Sequence, residues 1–393
     1  MSRSLLTFVI CVIGIMCAAK TFSSKILSAL APMKTSNMVQ TPANVKIASA
    51  VDEQVPLDEL FVEGTPRTPV YFISHGGPTF MYPDADFGTD EGAYNTTKEL
   101  GKFIRNVIAP RFIVIVSAHW QSGSPNLVEI SVPEASKASV QRSYDDPLAF
   151  GSSDVKVSDE RELLDPMENR LIYDFHGFPE EMYREQFHSK THDGLAQHIS
   201  DTINDAGHGL ESVLVKRGID HGVWVPFKVA FSTSKDDFNP WDVDVPLVQV
   251  SLTSSDDFGI HYKLGQALSK YRDLGGLLIM SGMSVHNLKD ISKSISLGKP
   301  MPYVHEFDKL LRGILINDND HRDKLNKLTK MVASSDTRGL FYKAHPTLEH
   351  FMPIVVGLGA GEALYGDDRY IIKELYSNES YSLSWSLFQF GNY

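Results

Sequence analysis

Cysteine is nearly absent from this chain. Of its 393 residues two are Cys, and both, Cys11 and Cys17, lie in an N-terminal apolar stretch. The rest therefore offers no disulfide and no thiolate for a metal, so any metal must be held by His, Asp or Glu, and the redox compartment goes unread. An excess of positive charge is missing too: 37 Lys and Arg stand against 49 Asp and Glu, a net charge of -12. That balance argues against a nucleic-acid partner, because phosphate binding wants a basic surface. There is no GxGxxG, no Walker A loop, no GxSxG elbow and no HExxH, so nucleotide-binding, serine-hydrolase and zincin readings lose their usual support. No repeat recurs at a solenoid period.

What is present fits a folded globular protein. Hydrophobic residues at 42% and charged residues at 22% allow a sizeable core and exclude wholesale disorder. The length suits one catalytic domain with appendages. The first appendage is the run Leu5 to Ala19, flanked by Arg3 and Lys20, which reads as a signal-peptide core or short anchor; it falls short of the ~20 residues that span a bilayer. Because the first acidic residue is Asp52, a mitochondrial presequence fits equally. Either address differs from plain cytoplasm, and membrane association is expected only through this segment, residues 1–55.

From Pro69 onward short apolar runs alternate with amphipathic segments, which predicts an α/β fold: a single domain with a central mixed sheet flanked by helices. Strands are expected at 69–74, 112–118, 127–132, 213–217, 246–252 and 276–282, with 381–391 as a closing strand. Helices are expected at 89–107, 195–206, 262–274, 305–316, 322–332 and 351–358. The catalytic domain is set at 66–393. Within it residues 133–168, charged and Ser-rich with little apolar periodicity, read as a surface insertion.

Fourteen histidines are present, and their placement says more than their number. His75 ends a strand in SHGGP, His119 ends one in SAHW, His286 follows one in SGMSVHN, and His350 stands in HPTLEHFMP; His221 lies in DHGVWVPF. Most of these places fall just past an apolar run, where an α/β sheet builds its ligand crevice. Neutral imidazoles suit Fe(II) or Zn, and an imidazole near the metal moves protons around neutral pH. Taken singly, a histidine ending a strand is more often a structural hydrogen-bonding group, and Glu349 competes with its neighbour His350 as a ligand. His188, His192, His198, His208, His261, His305 and His321 fall in polar or helical stretches and read as surface residues. His176, in YDFHGFPEEMY, sits where a loop folds over the crevice or simply packs, with Phe175, Phe178 and Tyr183 as rings that could stack on a substrate; Trp120 and Trp224 carry the same two readings.

With these residues in place the sequence resembles the class III extradiol ring-cleavage dioxygenases, in their 4,5-DOPA dioxygenase extradiol branch. The landmarks are SHGGP (74–78), IVIVSAHW (113–120), DFHGFPEEMY (174–183), DHGVW (220–224), PLVQVSL (246–252), SGMSVHNL (281–288) and HPTLEHFMP (345–353), in family order. The resemblance implies metal ligands at His75, His119 and His350. It places His286 on a residue that contacts the metal in some members and serves as acid/base in others, and His221 on a pocket histidine that positions substrate or relays protons. It further implies one divalent metal, Fe(II) for dioxygenase activity with Zn(II) as another occupant, and a small aromatic substrate with O2 as partners. In this branch a His replaces the Glu that serves as third ligand elsewhere, removing one negative charge from the site. A zinc-dependent hydrolase on the same site and a non-catalytic binding member of the fold are the rival readings. Substrate identity, the role of 133–168 and oligomeric state are not legible.

Overall fold

The computed structural model describes residues 54–141, 156–232, 239–317, 323–362 and 371–393. Residues 1–53, most of the expected targeting segment, lie outside them, as do 142–155 of the expected insertion and His321. No helix among the described residues is long and apolar enough to cross a membrane.

Nine strands form one mixed sheet: β1 (Val70–Ser74), β2 (Phe112–Gln121), β3 (Leu127–Val132), β4 (Glu211–Lys216), β5 (Leu247–Leu252), β6 (Gly276–Gly282), β7 (Val285–His286), β8 (Ile372–Ser380) and β9 (Leu383–Phe390). Their order is β8-β9-β1-β6-β2-β5-β3-β4, with β7 pairing β9. Strands β1, β6, β2 and β5 are mutually parallel, whereas β3 meets β5 and β9 meets both β1 and β8 antiparallel. The parallel strands are buried on both faces, which is why they read as unbroken apolar runs.

Period-2 alternation divides the core between the two faces. Val70, Phe72, Val114, Val116, Val248 and Val250 point to one face, where they pack on α2 (Asp193–Asp205), α4 (Phe258–Leu268), α6 (Pro302–Leu315) and α9 (Met352–Gly361). Tyr71, Ile73, Ile113, Ile115, Leu277 and Ile279 point to the other, against α1 (Glu91–Phe103) and α3 (His221–Phe231). Each such side chain, fully buried, contributes about 1.5–3 kcal/mol. The shorter α5 (Ile291–Leu297), α7 (Lys324–Ala333) and α8 (Ser335–Ala344), with a single turn at Leu57–Leu60, complete the α-helices among the described residues.

The expected strands and helices are all found, with ends shifted by a few residues. Besides the two-residue strands and the single turn Leu57–Leu60, four elements were not expected. Strand β8 is a half-polar edge strand, IKELYSNES, without clean alternation. Helix α3 carries Pro226 in its interior and is apolar all round, so it shows no 3.6-residue stripe. The remaining two, α5 and α8, are short and polar. The described end of the expected insertion carries a two-residue strand, Lys156–Val157, paired with Ile172–Tyr173.

Candidate metal centre

The carboxyl ends of the parallel strands meet on one side of the sheet, and the chain places its histidines there. His75 follows β1 directly, and its amide donates to the Gly282 carbonyl at 3.1 Å, extending the pairing with β6. The next residue, Gly76, turns at φ +60°, and a Cβ there would collide with the Trp385 ring. His119 lies near the end of β2. The register with β5 jumps between Val116 and Gln121, and this bulge takes the strand out of the ladder where the imidazole must turn inward. His350 stands two residues before α9. Its carbonyl accepts from the Met283 amide at 3.0 Å, an approach that requires Gly282, since any Cβ there would strike that oxygen.

These three imidazoles converge. His119 Nε2 lies 3.1 Å from His75 Nε2 and 3.2 Å from His350 Nε2. Two metal–nitrogen bonds of about 2.0–2.1 Å hold their nitrogens roughly 2.8–3.4 Å apart at right-angle to tetrahedral geometry, so both separations suit one shared divalent ion. The far nitrogen of each ring has a polar partner: Ser281 Oγ at 2.9 Å for His75, Asp174 Oδ2 at 3.2 Å for His119, and Glu349 Oε1 at 3.1 Å for His350. The Ser281 hydroxyl donates to the Gly222 carbonyl, which leaves its oxygen to accept from His75 Nδ1–H. All three rings are thereby set with a lone pair on Nε2 facing the common centre, the tautomer a metal requires.

Two more imidazoles border the centre. His286, the last residue of β7, stacks on His350 at 3.6 Å between ring centroids and 14° between planes. His221 opens α3, its ring centroid 3.9 Å from that of His119. Its Nδ1 lies 2.8 Å from Asp174 Oδ1, which also accepts the His221 amide at 2.9 Å. Burial, reinforced by the neighbouring imidazoles, pushes His75 and His350 well below the ordinary histidine range and His286 to about 3, so these rings are neutral at pH 7. Burial also acts to lower His119, but Asp174, with Asp220 and Glu349 behind it, raises that ring. Burial would raise the Asp174 carboxyl, yet the charges and hydrogen bonds of His221 and His119 hold it well below the carboxylate range. Asp174 is thus an anion between two imidazoles.

The structure therefore brings His75, His119, His221, His286 and His350 together. His75, His119 and His350 form one set able to hold a metal; His119 with Asp174 and His221, and His286 with Glu349 and His350, form two overlapping ones. Three expectations are corrected, and the readings left open for Trp120, Trp224 and the His176 loop are narrowed. His188, His192 and His261 are buried rather than at the surface: His188 pairs with Glu168, His192 caps α2 by accepting the Leu195 amide, and His261 packs on the sheet side of α4. Trp224 and Trp120 are core residues, bonded to the Ile172 carbonyl and Glu129 respectively, and Phe175 is buried beside His221. His176 is exposed. Sequence reasoning passed over Asp174, although it opens the DFHGFPEEMY landmark two residues before the His176 that drew attention. An open cleft of about 760 Å³ beside the described end of the insertion is lined by Lys156, Arg170, Tyr173 and Tyr183, and none of the clustered histidines borders it.

Fold and site together define an α/β enzyme built around a histidine-rich set that could hold one divalent ion. Residues 161–388, more than half of the chain, match the family described as the catalytic LigB subunit of aromatic ring-opening dioxygenase, and the chain belongs to that family. The matched span holds Asp174, His221, His286 and His350; His75 and His119 precede it. A 4,5-DOPA dioxygenase extradiol-like protein of Schizosaccharomyces pombe is 29% identical over 303 residues, 75% of this chain and 85% of the relative. The 4,5-DOPA dioxygenase extradiol of Beta vulgaris is 29% identical over 301 residues, 74% of this chain and 85% of the relative. The Escherichia coli protein of the same name is 24% identical over 305 residues, 78% of this chain and 89% of the relative. A crystal structure of an uncharacterized Escherichia coli K12 protein superposes with a TM-score of 0.53 at 23% identity, covering 83% of this chain and all of that one, and shows the same fold.

Proposed function

We propose that the chain opens a small catechol by extradiol cleavage: the carbon–carbon bond beside the two hydroxyls breaks, and both atoms of O2 enter the product. The observation that carries this reading is the convergence of three Nε2 atoms on one centre, with two further imidazoles at its edge. The names of the similar proteins support a 3,4-dihydroxyphenyl substrate of the DOPA type. His75, His119 and His350 would hold Fe(II), which supplies electron transfer between a chelated catechol and dioxygen.

The chain's own groups handle position and protons. His221 Nδ1–H is committed to Asp174, so Nε2 is the ring's acceptor and takes a catechol proton. Asp174 balances the charge this creates. His286 is neutral and its ring nitrogens bond no other described residue, so a second hydroxyl can occupy them. A proton taken from that hydroxyl would be the one returned to the opened product.

The test is anaerobic purification, loading with Fe(II) and a panel of catechols including DOPA, with oxygen uptake and the absorbance of ring-opened product followed together. One O2 consumed per catechol lost is expected. Substrate turnover without oxygen would replace this reading with hydrolysis, and no turnover of any catechol would remove it.

A further inference from the structure

We propose that Asp174 is a positioning residue that ties the metal side of the site to its proton side, by holding one ligand imidazole and one non-ligand imidazole with its two oxygens. This inference rests on the metal-binding reading above. The other two rings of the trio are each braced separately, His75 by Ser281 and His350 by its own neighbour Glu349. Of the three bracing groups, Asp174 is the one with an oxygen within 3.2 Å of a nitrogen in each of two rings, Oδ2 3.2 Å from His119 Nδ1 and Oδ1 2.8 Å from His221 Nδ1.

A carboxylate only accepts hydrogen bonds, so both Nδ1 atoms must carry hydrogen. Each Nε2 is then left with a lone pair, in His119 for the metal and in His221 for a substrate proton. One side chain thus sets two tautomers that would otherwise be independent. It also restores, one bond further out, the negative charge that a set of three neutral imidazoles lacks around a dication, which makes His119 a more basic ligand.

The backbone that carries Asp174 is held for such a task. The Ile172 amide donates to the Ile219 carbonyl at 2.9 Å, and the Ile219 amide to the Arg170 carbonyl at 2.8 Å. Trp224 Nε1 donates to the Ile172 carbonyl at 3.0 Å. On the other side, Phe175 is buried between His221 and the ring of Tyr183. The segment before Asp174 is therefore fastened to the residues that lead into α3, the helix His221 begins. A purely structural role, capping α3 through the His221 amide at 2.9 Å, uses Oδ1 alone and would not require Oδ2 to face His119.

The test uses the full chain stripped with chelator and titrated with Zn2+ against a competing indicator, for wild type and D174N. Asparagine keeps an oxygen for the His221 amide but turns a donor toward one of the two imidazoles. D174N is expected to melt near wild type and to bind Zn2+ about 10- to 100-fold more weakly. Wild type and D174N with equal Zn2+ affinity would overturn the role of Asp174 and leave the metal reading standing; a wild type that binds no Zn2+ would overturn both. Should D174N not fold, 15N-histidine NMR of the zinc-loaded wild type decides. His119 and His221 both protonated at Nδ1, with His119 coordinated through Nε2, is expected; an unprotonated Nδ1 in either ring refutes the proposal.

Discussion

Two regions of this molecule set a histidine against a carboxylate, and they differ in what the second ring nitrogen meets. Beside the described end of the insertion, His188 Nδ1 lies 2.6 Å from Glu168 Oε1, and Glu168 also accepts the Leu164 amide. Lys190 pairs with Asp165 nearby and lies over the Trp241 ring, so charge and ring packing close the corner on itself. At the carboxyl ends of the strands, His119 has the same kind of partner in Asp174, but its Nε2 faces two other Nε2 atoms. A carboxylate behind an imidazole is common to both regions. Chemistry belongs to the region where further lone pairs converge and none of the imidazoles can satisfy another.

The comparison breaks most directly by exchanging the fates of the two histidines. His119→Ala is expected to abolish stoichiometric metal binding and oxygen uptake, measured by metal analysis and an oxygen electrode, while the chain stays folded. Retention of one metal per chain would dissolve the distinction between the regions. A step smaller, His221→Ala should keep its metal and lose about 10²- to 10⁴-fold in kcat; His286→Ala should also keep the fold and lose most turnover, and wild-type turnover in either would strike that residue from the proton path. On the closed side, His188→Ala leaves Glu168 with a buried oxygen unpartnered and should cost about 1–3 kcal/mol in denaturant unfolding with metal content unchanged. A stability change within error there would mean that the corner is not held together by this pair.

The contrast also explains what could be read from the chain alone. Strand and helix periodicity exposed the parallel strands because burial on both faces leaves continuous apolar runs, and His75 and His119 stand out by ending them. His350, His221 and His286 gain meaning from spatial neighbours far away in sequence, and resemblance to a family, not periodicity, brought them together. Asp174 was invisible because an Asp in a loop has many ordinary uses, and its second oxygen matters only through a ring 55 residues earlier. His188, His192 and His261 were misread for the converse reason: polar surroundings in sequence suggested solvent, whereas each is buried with a specific hydrogen-bond partner. Strand β8 was missed since a half-exposed edge strand lacks the alternation that marks a buried one.

The smallest expected effect sharpens the comparison through a third buried histidine. His345 lies five residues before His350, its Nε2 donating to the Ser284 carbonyl at 2.8 Å and its Nδ1 bonding no other described residue. Burial lowers it from 6.5 to about 4. Between those values the unfolded chain binds a proton that the folded chain refuses, so its contribution to stability is full above about pH 6.5 and falls as pH descends toward 4. Asp308, raised by burial from 3.8 to about 7 against the Ser384 hydroxyl bond that lowers it, works in the opposite sense: in that window the folded chain holds a proton the unfolded chain lacks, and stability falls as pH rises. The wild-type curve of Tm against pH therefore mixes both slopes, and the curve by itself assigns neither. His345→Gln retains a donor for Ser284 and removes the titration, so the variant should lose less stability than wild type on acidification from pH 6.5 to 4 in metal-free protein. Parallel curves would show that His345 owes its place to packing and carries no proton cost.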